Sequence, residues 1–440
     1  MDRFLREVAR AFPFLLGWRI KLIVAHRRLT YPLRYLPFKS RTFGPPKGEY
    51  LSLRHYARDP ISQGYLEIRE LSKKTYGHRN PPITNSARVK RAFLERETYK
   101  VFGASVGVVR GGRVWGFDGG SVITPNDRLI WNLSPVNYTF KRDLHHVFTK
   151  FRLPPVKQYG KVVNLVTRCA EDNYWHWMFD LLPRVELVER AGISLDDAYY
   201  LVNHRGHSFQ LDSLAHLGIP KDRVILATKD VHVEAEELIL PSVVNPNLNT
   251  DGLSYSKEAF EFLRNRFLGK NIPRTRNRPR LFISRDRSRR RIRNEASLYK
   301  RLQRYGFERI YLEDRSLVEQ ARLFNSAEWI IGLHGAGLSN IVFCRPGTRI
   351  TEVFAPDFIA TNFWTLSEQL GFQYHCYCED SRYLGVQGGR FQRNLDLSVS
   401  VPEFMNFFKR VQHAAPITTG TPEVERPSGI LETDLTQPLI

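Results

Sequence analysis

Negative charge is what this chain most lacks: 45 Asp and Glu stand against 66 Lys and Arg in 440 residues, a net charge of +21 at pH 7. Such an excess excludes cationic partners and favours anionic ones, such as a nucleotide diphosphate, a lipid phosphate or an acidic membrane face. Cysteine is scarce as well. The four residues Cys169, Cys344, Cys376 and Cys378 are too few for a disulfide scaffold. Cys376 and Cys378 share one face of a strand-like run, where neighbouring thiols are poorly placed to bridge, and no second pair completes a zinc site. A reducing compartment, the cytoplasm, is expected. No apolar run reaches bilayer length. Phe12–Ala25 is broken by Arg19 and Lys21, and no small-residue cleavage site follows it, which argues against a signal peptide. Its neighbours Trp18, Arg27, Arg28, Tyr31, Arg34, Tyr35 and Phe38 leave two readings of residues 12–38. One is a peripheral helix lying in a membrane interface; the other is a helix packed on the protein's own surface. Finally, Asp-x-Asp occurs nowhere, so one common acidic pair for holding a divalent cation on a diphosphate is missing.

What is present is arginine, concentrated in RLFISRDRSRRRIRNE, Arg280 to Glu295. The apolar run LFIS ends at Arg285, and Arg287, Arg289, Arg290, Arg291 and Arg293 follow before a helix-like stretch opening at about Glu295. Guanidinium groups bind phosphate oxygens in planar, bidentate, charge-assisted pairs. A basic cluster between a buried strand and a helix stands where open α/β sheets hold ligands. Seen alone, the run reads equally well as a solvated, RNA-binding or localisation-type charge cluster.

A second block, WIIGLHGAGLSNIVFCRPGTRITEVF, runs from Trp329 to Phe354. Trp329 to Leu333 reads as a buried parallel strand. It runs into His334-Gly335-Ala336-Gly337, a short helical piece Leu338 to Phe343, a Pro346-Gly347 turn and a strand Ile350 to Phe354 containing Glu352. Small residues at a strand-to-helix junction let backbone N–H groups approach an anion closely; a plain tight turn would use the same residues. A third block, DNYWHWMFDLLPRVELVERAG, spans Asp172 to Gly192. Its helical pattern places His176 and Asp180 on one face. Together they could deprotonate a hydroxyl, with either group as the base and the other as its orienter. A structural histidine–aspartate pair has the same spacing. Tyr174, Trp175 and Trp177 suit either a sugar-stacking platform or a helix core.

Taken together, Asn173 to Arg184 (NYWHWMFDLLPR), Ser284 to Glu295 and His334 to Glu352 (HGAGLSN, then PGT-x-x-x-E) resemble glycosyltransferase family 61 in order and spacing. That group includes plant xylosyl- and arabinosyltransferases, animal O-GlcNAc-adding enzymes and bacterial capsule-locus proteins. The resemblance covers Val162 to about Glu352, and more loosely about Tyr99 to Glu379. It implies an α/β fold of the GT-B type, two Rossmann-like domains facing across a cleft, with a nucleotide-sugar donor in the C-terminal one. An inverting transfer to a hydroxyl acceptor is also implied. By position, Ser284, Arg285, Arg290 and Arg291 fall on the donor diphosphate clamp. His334, Gly335, Ala336, Asn340 and Glu352 fall on the nucleotide and sugar contacts, Glu352 where ribose hydroxyls bind. His176 and Asp180 fall on the catalytic block, with Asn173 and Trp177 on the acceptor side.

Inverting transfer needs a base for the acceptor hydroxyl and positive charge for the departing nucleoside diphosphate. Arginines can supply that charge, so the expected co-substrate is a nucleotide sugar, a UDP-sugar above all, without metal or other cofactor. The expected acceptor is a glycan, glycolipid or protein hydroxyl. Two other classes remain open: a non-catalytic glycan- or nucleotide-binding module on the same fold, and a basic polyanion- or RNA-binding protein. No RNA-recognition, KH or zinc-finger spacing accompanies the charge, and nucleic acid is not expected as a partner.

The chain length suits two domains, and 42% hydrophobic with 12% aromatic residues marks a folded protein. Residues 1–98 are expected to form a basic N-terminal extension, with Phe38 to Pro82 as linker. Residues 99–245 are expected to form the acceptor domain, opening with a β-meander over Val101 to Asn132. Asn245 to Asp251 reads as the interdomain linker, 246–413 as the donor domain and 414–440 as a disordered tail.

Overall fold

The computed structural model describes residues 25–26, 28–36, 39–135, 145–243, 255–269, 278–288, 290–354, 359–379 and 396–415. Residues 12–24 of the apolar segment, Arg289, the linker expected at 245–251 and the tail after 415 lie outside them. Among the described residues no helix is long and apolar enough to cross a membrane. The chain is mixed α/β and divides into two compact units. One is drawn from residues 1–72 and 104–249, the other from 73–103 and 250–440.

In the first unit the meander forms as its turn residues require. Strand β6 (Ser105–Trp115) pairs antiparallel with β7 (Ser121–Ile123), and β7 with β8 (Arg128–Ile130). Gly119 and Gly120 take positive φ between β6 and β7 (90° and 82°), a conformation that glycine adopts without steric cost. The other end of the same sheet is parallel. Strands β9 (Val156–Asn164), β10 (Tyr199–Val202), β11 (Val224–Leu226) and β12 (His232–Pro241) lie in the order β11-β10-β9-β12. Val109, Val114, Val162, Leu201, Val233 and Leu238 are buried in its core.

The second unit is built on a wholly parallel six-stranded sheet, beside the small antiparallel pair Thr75–His78 and Thr98–Val101. The strands of the parallel sheet are β13 (Arg280–Ile283), β14 (Phe307–Ile310), β15 (Trp329–Leu333), β16 (Arg349–Phe354), β17 (Gln373–Cys378) and β4 (Ile83–Thr84). Their order is β14-β13-β15-β16-β17-β4. Helices Glu295–Gln303 and Val401–Gln412 pack on each other; Lys257–Leu268, Leu317–Ser326 and Asn362–Leu370 cluster with the 3-10 segment Ala336–Phe343. Local chemistry sets the helix ends. Ser316 and Glu319 form a reciprocal capping box, and Gly371 closes Asn362–Leu370 at φ 73°. The chain steps outward from β13 to β14 and then returns to the other side of β13 as β15. In open α/β sheets such a reversal leaves a crevice at the carboxyl ends of the two central strands, where ligands bind.

One expectation is corrected here. Residues 39–98 are not a linker or a separate extension. They carry β1 (Gly48–Tyr50), the helix Leu53–Ala57, β2 (Leu66–Glu70), β3 (Thr75–His78), β4 and the helix Ala87–Leu94. Tyr50, Leu53 and Tyr56 are buried in the first unit's core. Val89 and Phe93 are fully buried in the second unit, where Phe93 packs on Trp364 at 4.6 Å. The strands are too short, and too rich in Pro, Gly and charge, to show a period of two.

Candidate functional site

The carboxyl ends of β13 and β15 bring two of the sequence blocks together. Beyond Ile283, the Ser284 amide donates to the Ile310 carbonyl (2.9 Å) and the Ser284 hydroxyl donates to the Glu295 carboxylate. The Arg285 amide donates to the other Glu295 oxygen (3.3 Å). Glu295, first residue of its helix, thus ties down the loop. Burial pushes its carboxyl up, against the lowering effect of these two bonds. The Arg285 guanidinium turns across the loop onto Gly335. Its Nε donates to the Arg290 carbonyl (3.0 Å), presented by a backbone in the left-handed region at φ 56°, which a non-glycine residue adopts at a cost. Desolvation draws the Arg285 pKa below its ordinary value. At Gly335 the backbone is extended (φ 167°), so conformation does not demand glycine there. Space does: a Cβ would stand 2.7 Å from the Arg285 Cζ.

His334 precedes that glycine. Its amide extends the ladder to the Val353 carbonyl (2.8 Å). Its imidazole stacks on Phe354 (5.4 Å between centroids, 20°) and leans on Phe363 (5.6 Å). Nδ1 bonds Glu352 Oε1, and the Tyr374 hydroxyl donates to Glu352 Oε2. Glu352 is fully buried. Burial, and then Glu352 beside it, push the Tyr374 hydroxyl well above its ordinary value, so it keeps its proton.

Several of the expected contact residues have their side chains engaged by other protein groups. Glu352 has both oxygens committed to His334 and Tyr374. Ser284 has its hydroxyl on Glu295 and braces the loop. Arg291 is paired through Nε and its amide with Asp396 (3.0 and 3.1 Å), fastening the loop to the segment before the last helix. Asn340 is fully buried, its amide donating to Gln320 (2.6 Å). Arg287, too, is taken by Asp314 (2.8 Å). Arg285, Arg290, His334, Gly335 and Ala336 remain together at the strand ends. Tyr374 and Glu295 were missed as site residues. An acidic residue opening a helix behind six arginines was a signal for Glu295; nothing in the sequence pointed to Tyr374.

In the first unit, the chain beyond β9 enters a helix capped by Asn173, whose side chain accepts from the Trp175 amide (2.9 Å). Helix Tyr174–His176 widens to a π-turn over Trp177–Leu181 and resumes as Pro183–Arg190. Pro183 explains the widening. It has no N–H for the Phe179 carbonyl four residues back, and its ring would strike that carbonyl in an α-helix. The Leu182 amide bonds the Trp177 carbonyl instead (3.1 Å). On this turn, of a kind frequent at functional sites, His176 Nδ1 lies 2.5 Å from Asp180 Oδ2. The Asp180 side chain is 2% exposed and that of His176 17%, so the histidine is the accessible member. Below them Arg184 donates to the carbonyls of Val166 and Pro241 (both 2.9 Å), clamping the ends of β9 and β12. Burial lowers its pKa to about 10, and Asp180 opposes that shift. Arg184, too, escaped notice as a positioning group. Trp177 is a correction: it is fully buried with its indole on Ser213 (2.8 Å), a core position and not an acceptor platform. Asn173 serves as the cap.

Residues 174–351 match the family model described as Glycosyltransferase 61, which bears out the resemblance carried by the three sequence blocks. A stretch of 64 residues is 38% identical to a beta-1,2-xylosyltransferase of Arabidopsis thaliana, covering 14% of this chain and 12% of that protein. The chain therefore matches only a small part of the length of that relative.

Proposed function

We propose that this chain is an inverting glycosyltransferase, moving a sugar from a nucleotide-diphosphate donor, a UDP-sugar, to a hydroxyl of a glycan, lipid or protein acceptor. One observation carries the reading: the Arg285 guanidinium lies against Gly335 at the strand-order reversal of a parallel sheet. A desolvated cation there, beside a strand-to-helix turn of small residues, suits a pyrophosphate. In the proposed reaction the acceptor oxygen attacks the anomeric carbon as the bond to the diphosphate breaks. The acceptor proton passes to the His176–Asp180 pair, whose more accessible histidine ring is the receiving group and whose buried aspartate orients it. Charge developing on the departing nucleoside diphosphate is met by Arg285 and Arg290, and no metal is required for that task. The name of the Arabidopsis relative adds a pentose to the donors worth testing first.

Peripheral contact with an acidic membrane face, in the cytoplasm, belongs to the same proposal. Leu29 and Tyr35 are 68% and 67% exposed beside the exposed Arg28, a mixture suited to a bilayer interface. The deciding experiment is a thermal-shift panel of UDP- and other nucleotide sugars, followed by turnover with the donor that stabilises most. Stabilisation with sugar transfer supports the proposal. Stabilisation without transfer to any acceptor would leave a binding module, and indifference to every nucleotide sugar would refute the donor site.

A further inference from the structure

Three fully buried or nearly buried side chains of the second unit form one chain of contacts: the Tyr374 hydroxyl on Glu352 Oε2, and Glu352 Oε1 on His334 Nδ1. They come from three different elements. His334 follows β15, Glu352 lies within β16 and Tyr374 within β17. The parallel register sets Gly332 opposite Glu352, and Ile350 opposite Tyr374. A carboxylate with no exposed surface is costly unless both oxygens are satisfied. Here one oxygen takes a phenol proton and the other faces an imidazole nitrogen. A carboxylate can only accept, so Nδ1 is the protonated nitrogen and Nε2 is left as the ring's acceptor nitrogen. The ring plane is fixed by Phe354 beneath it and Phe363 at its side.

We infer that Glu352 and Tyr374 are positioning residues for the donor site, holding His334 in one tautomer and one orientation so that its Nε2 meets the nucleotide diphosphate beside Arg285. The inference rests on the donor-site reading above. It assigns Glu352 a task two bonds removed from the ligand, and it gives Tyr374 a part in recognition although it touches no donor. Partners that orient metal-bound histidines alter affinity by about tenfold or more when removed, and an effect of that order is expected for a histidine held the same way against a diphosphate.

A double-mutant cycle with UDP as the probe tests it. Glu352→Gln is expected to weaken UDP binding about tenfold when His334 is present, and to change nothing further in a His334→Ala background. Tyr374→Phe, the gentler change should Glu352→Gln fail to fold, is expected to follow the same pattern with a smaller effect. The 15N shifts of the His334 ring are expected to report a single Nδ1–H tautomer in the parent and a mixture in both variants. Full additivity of the two losses, or an unchanged ring spectrum in Glu352→Gln and Tyr374→Phe, overturns the positioning role. If His334→Ala and Arg285→Ala both bind UDP as the parent does, the donor-site reading itself falls; that outcome differs from additivity.

Discussion

The Arg285 guanidinium and the Gly335 backbone leave no space between them for a side chain; a Cβ on residue 335 would stand 2.7 Å from Arg285 Cζ. Because the obstructing group is the far end of a flexible side chain, Gly335→Ala should displace the arginine and spare the fold. Arg285→Ala is expected to cost about 2–4 kcal/mol of transition-state stabilisation, and Gly335→Ala a comparable amount, both read from kcat/KM. The double variant should be no worse than Arg285→Ala alone. Arg291→Ala, whose partner is Asp396 on a half-exposed surface, should keep parental kinetics and lose at most about 1 kcal/mol of stability.

Asp180→Asn keeps the shape of the side chain and removes the carboxylate facing His176. The expected result is a fall in kcat of about a hundredfold or more, with UDP affinity by calorimetry unchanged. Loss of UDP binding would instead assign the pair to the architecture of the fold.

Chelation separates arginine from metal as the source of positive charge on the leaving group. With the proposed clamp, excess EDTA leaves the transfer rate unchanged and added magnesium does not raise it. A rate that collapses on chelation and returns with a divalent cation would remove the clamp from that role.

Stability should fall in mild acid for a reason independent of catalysis. Burial depresses His232 and His375 from 6.5 to about 4, and holds the fully buried His145 well below its ordinary value. Between pH 6.5 and 4 the unfolded chain takes up protons that the native state refuses. Stability therefore rises with pH across that window and is lost as pH falls through it. Each histidine contributes about 1.4 kcal/mol per pH unit there. Denaturant melts at pH 7 and pH 5 should show the loss, and His375→Gln should reduce it by about a third.

Much of the second unit was legible because its code is local. The apolar run before Arg285 is β13, a helix begins at Glu295 as its spacing suggested, and the small residues after Leu333 do mark a strand-to-helix turn. The partners of the site groups were not. That Glu352 points at His334 and Tyr374, and that Arg291 belongs to Asp396, depends on the register of parallel strands and on a contact 105 residues away; no periodicity encodes either. Trp177 was misread because an aromatic residue at helical spacing looks the same whether it faces a ligand or a core. The segment around Phe93 was misread because its apolar residues are few and their partners distant.

That distance has a consequence for how the protein is made. Asn85 exchanges two hydrogen bonds with the backbone of Cys378, 293 positions further on, and β4 is the edge strand beside β17. During translation, the strand and the Val89–Phe93 surface of the following helix must therefore wait, unpaired, until β17 has emerged some 290 residues later. Late, non-local closure of this kind is slow and exposes apolar surface meanwhile. Truncated products ending before residue 373 should accordingly aggregate or engage chaperones, and a fragment starting at residue 250 should misfold unless residues 73–103 are supplied alongside it.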